Sequence, residues 1–296
     1  MSWLSARTII AAVCMLLSGG YCLSAYAQSA PTEIETYFDN WFDRVDHTQA
    51  EQPHWITPIA TTTPRLEEEF RYDQYFEKLG NGGTLYNFDA GKGLELIPAE
   101  PVELIFGLPP YIERKIPGRP DVSGFNDVPF LLVKTRLLTA NEQSGNYILT
   151  AFLQGSAPTG IAALTTNTYM ITPTIAGGFG IGDFDIQTTL GFSFPTDDSK
   201  ETGDILTSNT TFQYHLWKVL WPEFEVNYTH WLGGSRAGRD QVLLTPGLVV
   251  GRFPIGWRAK LIVGLGYQVA VAPTTVRTPL TPQFRNNFIL TTRIAF

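Results

Sequence analysis

Cysteine is nearly absent: two in 296 residues, Cys14 and Cys22, both close to the start of the chain. The rest of the chain therefore carries neither a disulfide framework nor a thiolate metal site. Long apolar runs are also missing. After residue 27 no stretch of about 18 apolar residues occurs, which excludes a transmembrane helix there. Lysine is scarce, and the formal net charge is −7, from 21 Lys and Arg against 28 Asp and Glu. That balance argues against nucleic acid and anionic headgroups as partners. Catalytic signatures are missing in the same way, since no G-x-S-x-G, H-E-x-x-H or phosphate loop is present. The run "GGFGIG" (Gly177 to Gly182) lacks the glycine spacing of a dinucleotide loop and reads as a turn. The four histidines, His47, His54, His215 and His230, are scattered singly, so no metal site and no cofactor is expected, and no enzyme.

What is present begins with "MSWLSARTIIAAVCMLLSGGYCLSAYA", which holds one charge (Arg7), an apolar core from Ile9 to Leu17 and the small-x-small ending Ala25-Tyr26-Ala27. This is the pattern of a cleaved secretory signal over residues 1–27. Its apolar core is too short to span a bilayer. A lipid attached at Cys22 is disfavoured by Tyr21, which stands where such signals need a small residue.

From Leu66 onward short alternating tracts are separated by turn residues. About twelve can be counted, near 66–78, 84–98, 101–113, 127–140, 146–156, 166–180, 183–195, 204–219, 222–233, 240–253, 257–272 and 283–296. Strands of roughly 9 to 11 residues cross a bilayer with tilt, and most of these tracts exceed that. In "AKLIVGLGYQVAV" the set Leu261, Val263, Leu265, Tyr267, Val269 and Val271 is apolar, opposite Lys260, Gly264, Gly266, Gln268 and Ala270. Likewise Phe224, Val226 and Tyr228 oppose Glu223, Glu225 and Asn227. Period two sends such sets to opposite faces of a strand. The links also alternate: "AEP", "NEQSGN", "IG", "WP" and "PIG" are short, whereas "GSAPTGIAALTT", "PTDDSKETGD" and "PTTVRTPLTPQ" are long, with "LGNGG" the exception. Short turns at one end and long loops at the other mark a transmembrane antiparallel β-barrel of about 12 strands over 66–296, and place the chain in the bacterial outer membrane. Trp217, Trp221, Trp231, Trp257, Tyr72, Tyr75 and Tyr111 lie near tract ends, as interfacial belts require.

Residues 28–65 do not alternate. Thr32 followed by Glu35 resembles a capping box, and Tyr37, Phe38, Trp41, Phe42 and Val45 recur at helical spacing, which predicts a short helix over 33–46. This periplasmic or lumenal segment could plug the lumen, lie on the membrane surface or pack beneath the barrel. Beyond it, Pro53, Pro58 and Pro64 predict an extended chain.

Charge on a barrel's lipid face costs about 2 to 4 kcal/mol at midplane, so charged residues within the tracts are assigned inward. The lumen-lining candidates are Glu67, Glu69, Arg71, Asp73, Asp89, Glu95, Glu103, Lys134, Arg136, Asp185, Glu223, Glu225, Lys260, Arg285 and Arg293. About twelve strands give a bore between a filled eight-stranded barrel and an open porin. The loop "GSAPTGIAALTT" could fold inward as a constriction. His215, on one face with Asn209, Thr211 and Gln213, raises the alternative of an outer-membrane lipid hydrolase, but alternation turns that face inward, away from lipid.

The signal, the alternating barrel, "GFNDVPFLLVKTRL" and the terminal Phe together resemble the outer-membrane family named for the MetA pathway of phenol degradation. Gly124, Asp127, Val128, Lys134 and Arg136 carry the match. The resemblance implies a barrel that passes small, often aromatic or apolar, compounds across the outer membrane. It also implies that the last strand, with Phe288, Leu290, Thr292, Ile294 and Phe296 on one face, is the signal read by the barrel-assembly machinery. Outer-membrane lipid and a small-molecule solute are then the other partners. A closed structural or surface-interaction barrel is the competing expectation.

Overall fold

The computed structural model describes residues 30–89, 93–197, 200–278 and 280–296, without side-chain detail at 30–32 and 131. The expected leader over 1–27, with both cysteines, lies outside the described residues. The chain divides into two compact units, 1–44 and 45–296.

In the first unit the sequence predicts one helix; the chain forms α1 (Ala30–Asp39) and begins α2 (Trp41–Ala50). Asn40 interrupts them, its carbonyl accepting from Arg44 N–H at 3.2 Å as an N-cap residue does. Tyr37, Phe38 and Trp41 form an aromatic group, and the Arg44 guanidinium lies 4.3 Å from the Tyr37 ring centre.

In the second unit alternation yields the expected all-β barrel. Eight of its twelve strands after the first run unbroken: β8 (Tyr147–Ala157), β9 (Met170–Ile181), β10 (Phe184–Pro195), β11 (Ile205–Tyr214), β12 (Leu220–Trp231), β13 (Arg239–Gly256), β14 (Ala259–Ala272) and β15 (Phe284–Ala295). They follow β1 (Glu69–Leu79) and three strands that are each interrupted once. Those three comprise β2 (Thr84–Phe88) with β3 (Gly93–Ala99), β4 (Val102–Gly107) with β5 (Tyr111–Lys115), and β6 (Val122–Phe125) with β7 (Val128–Ala140). Neighbours in sequence pair antiparallel, and β15 pairs back onto β1, which closes the sheet and removes its edges. The links at one end are short, at 141–146, 182–183 and 257–258, while those at the other reach 158–169, 196–204 and 273–283.

Burial is inverted relative to a water-soluble core. Glu225 and Arg293 are fully buried, whereas Leu190, Leu265, Phe179 and Phe130 are about half exposed or more on the outer surface. Such a surface is stable only against an apolar solvent. Phe288 of the terminal strand faces outward among these, on the same side as Leu290, Thr292 and Ile294.

Two expectations are corrected. Among the belt aromatics, Trp217 and Trp257 are exposed, as an interface needs, but Trp221 and Trp231 are buried, sharing the inward parity of Glu223 and Glu225; Tyr75 likewise packs against the interior. The run Gly177 to Ile181 is the end of β9, and only Gly182, at φ +59°, is a turn residue.

Candidate functional site

After α2 the chain runs from Glu51 to Glu68 without helix or strand, and most of it is buried inside the barrel. Pro53, Pro58 and Pro64 keep it extended and remove three backbone donors. This strap has no ladder of its own, so its peptide groups must be satisfied by the wall.

The wall matches them group by group. Donors meet carboxylates: Ile59 N–H donates to Glu223 at 2.9 Å, and Ala60 and Thr61 N–H donate to Glu225 at 2.7 and 2.6 Å. Acceptors meet cations. Arg71 donates to the Ile59 carbonyl at 2.7 Å, Arg293 to those of Thr57 and Pro58, and Arg252 to those of His54 and Trp55. Lys134 reaches the Arg65 carbonyl at 3.2 Å, and Thr150 that of Pro64 at 2.5 Å. Charge-assisted bonds of this kind are stronger than neutral ones.

A buried ion-pair group ties the strap's end to the wall. Lys134 lies 2.9 Å from Glu103 and 3.9 Å from Glu95, Arg65 lies 3.1 Å from Glu67, and Glu103 accepts from the Glu67 N–H at 2.6 Å. Beside it Arg71 pairs with Asp73 at 3.0 Å. Across the closing seam Arg71 and Arg293 are register partners.

Glycines make room for the strap's apolar side chains. A Cβ added at Gly178 would sit 2.4 Å from the Trp55 ring, and one at Gly247 would sit 2.6 Å from Ile59. Ile56 and Ile59 then pack with Trp221, Val249, Ile262 and Ile289, an apolar cluster inside a polar bore.

Nearer the long loops the lining changes to amides and hydroxyls. Asn227 donates to Asn209 at 3.2 Å and accepts from Gln268 at 2.9 Å and Thr245 at 3.0 Å. Gln154, Thr172, Thr174, Ser193 and Thr207, further along, are only half-buried. The loop 158–169 lies against the wall: Asp127 accepts from Gly160 N–H (3.1 Å) and Thr166 N–H (2.8 Å), and Ile161 packs on Gly124, the register partner of the buried Ile112, which puts that part of the loop on the inward face.

At the short-turn mouth, a cavity of about 440 Å³ is lined by Asp46, Glu69, Arg252, Trp257, Lys260 and Phe296, among others. Asp46 pairs with Arg258 there, and the hydrogen bond from Arg258 holds its carboxyl below the ordinary range. Burial alone would raise Glu142, but hydrogen bonds from His54 outweigh it and hold that carboxyl low. Arg136 donates to the Thr48 carbonyl (3.0 Å) and to Glu51 (2.7 Å). His47 lies 3.3 Å from Glu100 and 3.7 Å from Glu51, an exposed group that the scatter of histidines did not reveal.

Of the lumen-lining candidates, Glu67, Glu69, Arg71, Asp73, Asp89, Glu95, Glu103, Lys134, Asp185, Glu223, Glu225 and Arg293 are buried, and Arg136 is nearly so. Lys260 is exposed at the mouth cavity. Arg285 departs from the set. The register of β1 with β15 slips between Lys78 and Leu79, which turns Phe284 inward and leaves Arg285 exposed. His215 stacks on Trp221, ring centres 4.4 Å apart, with Thr211 and Gln213 buried on the inner side. Sequence reasoning missed Gln187, which donates to the Ile56 carbonyl at 3.0 Å and accepts from Thr63 at 2.8 Å, and it missed Arg252. The parity of Gln187 with Asp185 could have found the first. Nothing marks Arg252, which lies at a break of alternation with φ +62°.

No family model and no curated protein matches the sequence. Among solved structures, an outer membrane channel from Pseudomonas putida F1 is similar at a TM-score of 0.51 and 15% identity, over 76% of this chain and 92% of that one. The NanC porin aligns at 0.46 and 5%, over 77% and 98%, and OmpF of Salmonella typhi at 0.39 and 8%, over 77% and 96%. At such identity the first of these speaks to the fold alone: a closed antiparallel β-barrel.

Proposed function

We propose that the chain is a passive channel of the bacterial outer membrane for small solutes, with the short turns facing the periplasm and the strap as its resting plug. One observation carries this reading. Half-buried polar side chains (Gln154, Thr172, Thr174, Ser193 and Thr207) line the wall on the long-loop side and a cavity of about 440 Å³ lies at the short-turn mouth, with the buried residues 51–68 between them. Positioned charge and bore width then govern passage. Small aromatic or apolar solutes, implied by the resemblance of Gly124, Asp127, Val128, Lys134 and Arg136 to the phenol-pathway family, are the proposed cargo.

A second reading has its own support. The strap's peptide groups find partners at nearly every step, which favours a permanently closed structural barrel. Planar-bilayer recording separates the two. Deleting 28–60 raises conductance if the strap is a plug. Gly178→Val, which pushes against Trp55 but keeps every strap bond donor, raises the frequency of open events in the full-length protein. Folded protein that stays silent in both variants supports the closed barrel.

A further inference from the structure

Where α2 passes into the strap, three side chains of ligand type converge at the short-turn rim. His47 and Glu51 are four residues apart, which places them on one side of the helix end. Glu100 comes from a different element, the two-residue turn between β3 and β4. The docking of α2 brings them together: Val45 and Thr48 are its buried residues, and the Thr48 hydroxyl donates to the Glu100 carbonyl at 3.4 Å. With that face seated, a Glu100 carboxylate oxygen lies 3.3 Å from His47 Nδ1 and a Glu51 oxygen 3.7 Å from His47 Nε2. One donor atom from each of the three residues falls within 4.8 Å of the other two.

These separations suit a shared ion better than direct bonds. A distance of 3.7 Å is too long for an N–H···O bond, whereas ligand atoms about 2.0 to 2.2 Å from a tetrahedral ion stand roughly 3.3 to 3.6 Å from one another. All three side chains are about half exposed, so an ion is reachable from water and can keep a water in its fourth position. One ligand is already aimed. Arg136, its own side chain nearly buried, donates to the other oxygen of Glu51 at 2.7 Å and to the Thr48 carbonyl at 3.0 Å. Partners of this outer kind orient the ligands of metal centres. Two carboxylates against one guanidinium leave a negative charge when the imidazole is neutral, and the C-terminal end of α2 adds the negative pole of the helix.

We propose that His47, Glu51 and Glu100 form a site for a divalent transition metal of the Zn²⁺ type, which latches α2, and with it the head of the strap, to the rim of the barrel. Ions of this class accept imidazole nitrogen beside carboxylate oxygen, whereas Ca²⁺ and Mg²⁺ take oxygen ligands. One ligand belongs to the wall and two to the segment that enters the bore, so the complete site exists only while that segment is seated. By mass action the ion then favours the seated strap. The site needs no conduction through the barrel.

The test uses untagged protein extracted from the membrane in detergent and freed of lipopolysaccharide, whose phosphates bind cations. Zn²⁺ uptake is measured at neutral pH by competition with a chromogenic chelator, and the folding of each variant is checked on a heat-modifiability gel. One Zn²⁺ per chain is expected, undisplaced by excess Mg²⁺. Its affinity should fall about a hundredfold in His47→Gln and in Glu100→Gln. It should stay unchanged in His54→Gln and His230→Gln, whose imidazoles each face a single carboxylate. Hydrogen exchange reads the latch: free Zn²⁺ at about ten times its Kd should raise the protection of the amides at 48–52 about tenfold in the wild type and leave it unchanged in Glu100→Gln. Zn²⁺ uptake that is absent, or equal in the wild type and His47→Gln, overturns the site. Uptake that leaves the protection at 48–52 unchanged overturns the latch.

Discussion

The two halves of the bore solve the problem of a polar interior differently. Toward the short turns the wall carries full charges, and several of these are hydrogen-bonded by the backbone of the strap: Glu223 and Glu225 by its N–H groups, Arg71 and Arg293 by its carbonyls. Toward the long loops the wall carries amides and hydroxyls that satisfy one another, as Asn227 does with Asn209, Thr245 and Gln268. The difference is one of dependence. The neutral network is made mainly within the wall, with a 3.4 Å bond from Asn227 to Thr61 of the strap, whereas the buried charges take directed dipoles from the strap's backbone, on the N-terminal side of the barrel.

The comparison can be broken most forcefully at Lys134. Lys134→Ala leaves Glu103 and Glu95 buried without their cation, and loss of one partner of a buried pair costs about 3 to 5 kcal/mol. The folded band on a heat-modifiability gel should convert at a markedly lower temperature. The same truncation in the uncharged half sharpens the contrast. Asn227→Ala removes neutral bonds worth about 1 kcal/mol each and should shift that temperature much less. Equal shifts would erase the distinction between the halves.

The smallest effect is a pH dependence at the mouth. Because the Asp46 carboxyl titrates below its ordinary 3.8 in the folded chain, its contact with Arg258 contributes stability above that pH and loses it as the pH falls through the lowered value. The protection factors of the amides at 46–50, with the intrinsic pH dependence of exchange divided out, should therefore be flat from neutral pH down to about 4 and fall only below it. A fall near pH 6 would contradict the pairing.

Alternation made the barrel legible because each tract needs only its own residues to show which face is apolar. The inward charges followed from the same parity, and Trp221 and Trp231 were misplaced where proximity to a turn was weighed above parity. Arg285 was out of reach, since a one-residue slip in pairing between β1 and β15 leaves no mark in either strand alone. The prolines at 109, 110 and 129 are visible in the sequence, but that they lie at the breaks of two neighbouring barrel strands follows only from how those strands pair. The strap has no period to read; its place inside the bore follows from the unpaired charge that the wall would otherwise hold.

That requirement reaches into biogenesis. Arg71 and Arg293 face each other across the first and last strands, with Asp73 as the acid beside them, and both guanidiniums reach carbonyls at Thr57, Pro58 and Ile59. Sealing the cylinder on an empty interior would set two like charges side by side, with Asp73 and Glu69 as the buried acids near them but without the carbonyls that receive both guanidiniums. The strap thus acts as a mortise pin for the joint: seating residues 57–59 and closing the seam between the first and last strands each supply the hydrogen-bond partners that the other leaves open.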